Sequence, residues 1–184
     1  MSKATDGLVP EPVLTDDVVR LRRWTALDLA CVRAASDEGS IPEGTTVPPS
    51  YTEEAGTAWI ERQHSRVTEG QGWSLAVAEV SDNRPVGCVV LLLRPQEGVA
   101  GLGYWLLPEA RGRGLASRAV ALLTEWGLDE QELARVEAWV EPHNEASTSV
   151  LLRCGFEREG HLRSFLSFPT RRADALVFSR IRAA

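Results

Sequence analysis

The sequence predicts a single α/β domain with a mixed sheet and helices on both faces. Three observations carry that expectation. The chain has 184 residues, 43% of them hydrophobic and 25% charged, which is enough for one sizeable core. Its apolar pattern changes period along the chain: a strand, two helices, three strands, then strand–helix units, then strands. Finally, Gly101 to Ser117 reads as a strand, a very short turn and a helix start. No internal repeat, low-complexity segment or second domain interrupts this order.

Residues 1–15 are polar, with Pro10 and Pro12, and read as a flexible tail before a domain over residues 16–184. Val18 to Arg22 is the first strand. Thr25 with Asp28 three residues on is a box-like helix start, and Leu29, Val32 and Ala35 supply its core stripe. Gly39 to Ser50 holds Pro42, Pro48 and Pro49 and reads as a loop of the kind that lines a substrate mouth. Thr52-Glu53-Glu54 opens a second helix with Trp59, Ile60 and Val67 on its apolar side. Trp73–Val80 and Val86–Leu93 are strands joined by Ser81 to Pro85. Leu102–Leu107 follows, and Gly101 and Gly103 suggest a bulge or a close backbone approach. Leu115–Trp126 is an amphipathic helix with Gly127 placed to end it. Arg135–Val140 is a strand, Asn144 caps a helix that Gly155 ends, and His161–Ser167 pairs with Ala173–Arg180.

A net charge of −6 and a pI near 5.2 argue against general binding to nucleic acid or to an acidic membrane surface, and are compatible with a cationic substrate. Cys31, Cys88 and Cys154 lie far apart in apolar contexts and read as reduced, buried thiols. His64, His143 and His161 have no metal-ligand spacing, so no metal is expected. With no membrane-length apolar run and no signal peptide, the expected compartment is cytoplasmic.

The helix start at Arg111-Gly112-Arg113-Gly114-Leu115-Ala116-Ser117 breaks two rules together. Each glycine costs about 1 kcal/mol relative to alanine inside a helix, and the arginines put positive charge at the positive end of the helix dipole. A bound polyanion repairs both, its phosphates taking the free N–H groups of the first turn while the arginines flank it. The string is not a P-loop, because no Gly-x-x-x-x-Gly-Lys-Ser/Thr occurs. A dinucleotide fingerprint fails as well: Ser117 stands where its third Gly or Ala belongs, after strands of the wrong arrangement. Arg/Gln-x-x-Gly-x-Gly/Ala is matched by Arg111, Gly114 and Ala116.

With that pattern the chain resembles the GNAT N-acetyltransferases, and most of all the RimJ/RimL-like branch that acetylates the N-termini of ribosomal proteins. The strings that carry the resemblance are Gly103-Tyr104-Trp105-Leu106, the Arg111 to Ala116 loop, Asn144-x-x-Ser147, and Cys154-Gly155-Phe156 followed by Glu159-Gly160. The resemblance spans Val18 to Arg182. It implies a GNAT-like domain whose sheet is mostly antiparallel and splayed. It also implies acetyl-CoA as the polyanion, with its pyrophosphate on N–H groups from Gly112 to Ser117, Arg113 and Leu115 included. The pantetheine arm would run along Trp105, Leu106 and Leu107, with Asn144 bonding it as well as capping its helix. Ser147 becomes a candidate to stabilise or protonate the leaving thiolate. The resemblance leaves room for a homodimer.

The implied reaction is direct attack of a neutral amine on the thioester carbonyl, which needs positioning, an oxyanion donor and removal of a proton. The N–H of Leu107 is the expected oxyanion donor. Many relatives carry Glu two residues before the Gly-Tyr pair, where this chain has Gly101, which puts that base in doubt. Glu137 on the neighbouring strand is the replacement candidate, with an Arg-paired structural carboxylate as the alternative. An α-amine with a reference pKa near 8 also lessens the need for a strong base. Three functions stay open: acetylation of a protein or peptide N-terminus, acetylation of a small amine such as an antibiotic, polyamine or amino acid, and a non-catalytic acyl-CoA sensor.

Overall fold

The computed structural model describes residues 8–183. In chain order the first half holds β1 (Leu14–Thr15), β2 (Val19–Arg22), α1 (Leu29–Asp37), α2 (Ser40–Gly44), α3 (Glu53–Thr68), β3 (Gly72–Glu79) and β4 (Pro85–Leu93). The second half holds β5 (Val99–Leu106), α4 (Leu115–Asp129), β6 (Arg135–Val140), α5 (Glu145–Arg153), β7 (Glu157–Ser167) and β8 (Arg172–Ile181). The strands make one sheet in the order β1-β2-β3-β4-β5-β6-β8-β7, antiparallel throughout except for the parallel pair β5–β6.

Alternation along the strands sorts the side chains into two cores. Leu75, Val77, Val89 and Leu91 pack with Leu115, Ala119, Leu123 and Trp126 of α4. Ala76, Cys88 and Trp105 face the other way, against α1, α3 and the buried Trp24 and Trp59. The Trp24 and Trp59 rings meet edge to face at 5.0 Å, and Trp105 stacks on Trp24 at 6.2 Å. The helix starts follow their caps. Thr52 Oγ1 accepts Ala55 N–H at 3.0 Å, Asn144 Oδ1 accepts Ser147 N–H at 3.0 Å, and Asp28 accepts Thr25 N–H at 2.8 Å.

Four local expectations change. The tail reading falls partly on residues 1–7, outside the described residues, but from Leu8 onward the chain is docked. Trp73 Nε1 donates to Val9 O at 3.0 Å, and β1 pairs with β2. The Pro-rich loop contains α2, whose first turn tolerates Pro42 because the missing N–H there needs no partner. Gly127 does not end α4, which runs on to Asp129. An added Cβ there would lie 2.7 Å from Leu91 Cδ1, so this glycine serves close packing of helix on sheet. Gly101 and Gly103 make no bulge against β4, where the register is continuous from Gly87↔Leu106 to Leu93↔Ala100.

The sheet opens on the other side of β5. β5 and β6 pair only at Val99↔Arg135, Ala100↔Val136 and Gly101↔Glu137. Beyond Gly101, β5 stays with β4 while β6 stays with β8 up to Val140↔Leu176. The gap lies between the C-terminal halves of two parallel strands, where α/β sheets place ligands.

Candidate active site

A cleft of about 1320 Å³ runs through this gap, from the N-terminus of α4 to α2, α3 and the β7–β8 turn. At one end, Gly112 and Gly114 have φ of 72° and 77°, a backbone region that glycine enters without steric cost. A Cβ on either would meet nothing within 4 Å. Among the described residues, the N–H groups from Gly112 to Ser117 have no hydrogen-bond partner; the first to close is Arg118 N–H on Gly114 O at 3.2 Å. A run of donors at the positive end of a 15-residue helix is suited to a polyanion.

The two arginines differ. Arg111 lines the cleft and donates Nε to Leu106 O at 3.0 Å, with Glu38 at 3.4 Å from its end. Arg113, expected to flank the polyanion, turns instead to Glu79 and does not line the cleft. Its guanidinium holds the Glu79 carboxyl below the usual carboxylate range.

Backbone parity decides which groups of β5 face the gap. In an antiparallel pair the N–H groups point alternately to the two sides. Leu107 N–H donates to Val86 O at 2.9 Å and Arg94 N–H to Val99 O at 2.8 Å, so odd-numbered residues of β5 bond β4. The expected oxyanion donor, Leu107 N–H, is therefore already committed, and Leu107 is buried outside the cleft lining. Tyr104 and Leu106 have the opposite parity, and among the described residues no strand meets their N–H groups beyond Gly101. The Leu106 carbonyl, on that same side, is the one Arg111 caps.

Trp105, Leu106, Gly112, Gly114, Leu115, Ala116, Ser117 and Asn144 line the cleft, as does Ser147. Ser147 Oγ lies 2.9 Å from Tyr104 Oη, and Tyr104 Oη also donates to Ser147 O at 3.2 Å. These contacts join the two lips of the gap. Burial pushes the Tyr104 hydroxyl up to about 12, against the opposing pull of the Ser147 bond, so it stays a proton donor. The role of Tyr104 was missed as a side chain, although period-two alternation with Leu102 and Leu106 places it on the gap's helix-covered face.

Glu137 does not serve as a free base in this arrangement. Its Oε1 lies 3.2 Å from Arg94 Nε and its Oε2 3.5 Å from Arg135 Nε, and it does not line the cleft. Arg94 also stacks over Trp139 at 4.1 Å. A Cβ on Gly101 would lie 2.4 Å from Arg94 Nη2. Thus the guanidinium occupies the room in which a side chain at position 101 would stand. Across the mouth, Arg171 reaches Glu43 at 2.9 Å and Glu141 at 2.5 Å, tying α2, the end of β6 and the β7–β8 turn together. This pairing keeps the Glu141 carboxyl below the usual range. No local signal in the sequence marks Arg94 or Arg171, whose partners are distant in the chain.

The profile of the acetyltransferase (GNAT) domain family matches residues 19–157. The "Probable N-acetyltransferase YjcK" of Bacillus subtilis is 32% identical over 115 residues, covering 61% of this chain and 64% of that protein, so the match spans less than two thirds of the relative. A GNAT-family acetyltransferase from Bacillus anthracis has the same fold, with a TM-score of 0.81, 19% identity and coverage of 93% of this chain and 99% of that one. RimJ of Mycobacterium smegmatis, solved in complex with CoA-disulfide, superposes with a TM-score of 0.78 at 23% identity, covering 92% and 86%.

Proposed function

The chain belongs to the GNAT acetyltransferase family, and on that premise we propose that it moves an acetyl group from acetyl-CoA to a primary amine. The acceptor we propose first is a protein or peptide N-terminus. The observation that carries the acyl-donor half is the run of unpartnered N–H groups from Gly112 to Ser117, opening into the same cleft as the parted edge of β5. The open space above both positive-φ glycines fits a pyrophosphate pressed against backbone.

Bound acetyl-CoA supplies an activated thioester carbonyl. In this reading Gly112 to Ser117 hold the pyrophosphate, with Arg111 beside them, and Trp105 and Leu106 border the pantetheine arm. Asn144 fixes the first turn of α5, and so the position of Ser147, through its bond to Ser147 N–H. The oxyanion donor passes from Leu107 to Tyr104 N–H, which the gap leaves free to meet the charge developing on the carbonyl oxygen. Tyr104 Oη and Ser147 Oγ share a hydrogen bond at 2.9 Å, and this hydroxyl pair supplies the proton to the departing sulfur. Glu137 is held by Arg94 and Arg135, so the proton that the attacking nitrogen gives up passes to solvent water, and water returns a proton to the Ser147–Tyr104 pair. The amine enters neutral, as a group with a reference pKa near 8 does in part at neutral pH.

Thiol release from acetyl-CoA with a panel of peptides and small amines tests this reading. Release with peptides supports the first acceptor class. Release with small amines alone moves the protein to the second. Tight acetyl-CoA binding without release from any acceptor leaves a sensor, and absence of acetyl-CoA binding overturns the reading altogether.

A further inference from the structure

On the acceptor side, the cleft wall carries a cation with no counterion. Arg66 of α3 is half-buried and lines the cleft with Gln63, Val90, Leu92 and Gly103. Its Nε donates to Gln63 Oε1 at 3.2 Å. Gln63 is 1% exposed and held on both sides: Ser74 Oγ, itself fully buried, donates to Oε1 at 3.0 Å, and Gln63 Nε2 donates to Trp59 O at 2.9 Å. Gln63 is thus a fixed, neutral clamp on one nitrogen. The two η nitrogens of Arg66 have no hydrogen-bond partner among the described residues, and no carboxylate there lies within ion-pair distance.

The cost of this arrangement is visible. Burial lowers the affinity of the guanidinium for its proton, Arg62 one turn earlier adds a like charge, and Glu69 offsets only part of this. Arg111 and Arg171, which line the same cleft, both have carboxylates opposite them. A partly desolvated guanidinium kept uncompensated and oriented by a buried amide is prepared for an anion that arrives from outside. The free fork of a guanidinium matches a carboxylate in two parallel hydrogen bonds. Gly103, without a side chain, lies on the same cleft floor and next to Tyr104, the donor assigned above to the acetyl carbonyl.

We propose that Arg66, clamped at Nε by Gln63, anchors a carboxylate of the acceptor, so that the acceptor is an amine with a carboxylate close to the reacting nitrogen. This rests on the acetyl-transfer reading and narrows its acceptor. The carboxylate comes either from a free amino acid or from an acidic side chain at the start of a peptide.

Matched acceptors separate these sources and test the anchor. Alanine against alaninamide forms one pair, and an aspartyl peptide amide against its asparaginyl counterpart forms the other. In at least one pair the carboxylate member is expected to show kcat/KM about 10- to 100-fold higher, mostly through KM. R66Q is expected to narrow that preference below about twofold, and R66K to keep an intermediate one because ammonium lacks the fork. Coenzyme A affinity by calorimetry checks that both variants keep the fold. Equal kcat/KM within both pairs in the wild type, or a preference that survives R66Q, overturns the anchor. Calorimetry with the N-acetylated form of each acceptor on CoA-loaded protein gives a readout without turnover. Tighter binding of the carboxylate member to wild type but not to R66Q upholds the anchor even if no amine releases thiol, an outcome that removes only the acetyl-transfer reading. Equal binding in the wild type removes the anchor.

Discussion

The two ends of the cleft are built from different material. The end at α4 is backbone: unpartnered N–H groups from Gly112 to Ser117, two positive-φ glycines and the parted edge of β5. The end at α3 and the β7–β8 turn is side chain: Arg66 on Gln63, and Arg171 between Glu43 and Glu141. A backbone site recognises a group shared by every molecule that carries it, in the proposed reading a pyrophosphate. A side-chain site can be changed one residue at a time without disturbing the helix start. One end is thus set by local geometry and the other by long-range contacts, which in the proposed reading separates recognition of the donor from choice of the acceptor.

The largest expected effect comes from attacking the backbone end. Gly114→Asp adds a Cβ at a φ of 77° and puts a carboxylate where the proposed pyrophosphate would lie. Coenzyme A affinity should fall by at least about 100-fold, or about 2.7 kcal/mol, in calorimetry. Unchanged affinity would break the comparison, because the cradle would then not be the cofactor site.

A smaller effect should appear where the two ends meet. Ser147→Ala removes the hydroxyl 2.9 Å from Tyr104 Oη but leaves the Asn144 bond to the backbone N–H. Turnover should drop by about 10- to 100-fold with cofactor affinity kept. A normal turnover number would reduce Ser147 to a helix residue and shift the weight of the chemistry onto backbone alone.

The smallest effect on rate is expected at Glu137. Glu137→Gln loosens contacts to Arg94 and Arg135 and should cost about 1 kcal/mol of stability in thermal melts. Its kcat/KM should stay within about twofold of wild type. In wild type and variant alike, kcat/KM should rise with pH as the amine loses its proton, levelling above a pKa of about 8 for an α-amine. A loss of kcat/KM of more than about tenfold in the variant would make Glu137 the base after all.

Much of the α4 end was legible because its signal is local. Gly112, Gly114 and the arginines announce a helix start that is poor unless an anion sits on it, and Asn144 announces a cap. The Leu107 assignment failed for a reason equally local but invisible without partners. Whether an N–H faces the gap depends on strand parity, and parity is fixed by Val86 on another strand. Gly101 misled in the same way. Its lack of a side chain makes room for the Arg94 guanidinium, which arrives from the end of β4. Gly127 read as a helix end because glycine often is one, yet the sheet beneath it requires a residue without Cβ.

The order of most elements, two of the helix caps and the glycine turn before α4 were readable from the chain alone. All of these follow from periodicity and backbone preference within a few residues. It took the packed chain to show where β5 leaves β6, which N–H groups that departure frees, that Glu137 is locked between two arginines, and that the η nitrogens of Arg66 have no partner among the described residues. Those outcomes depend on pairing between segments far apart in the chain, where register and charge are set by whichever side chain arrives from the other element.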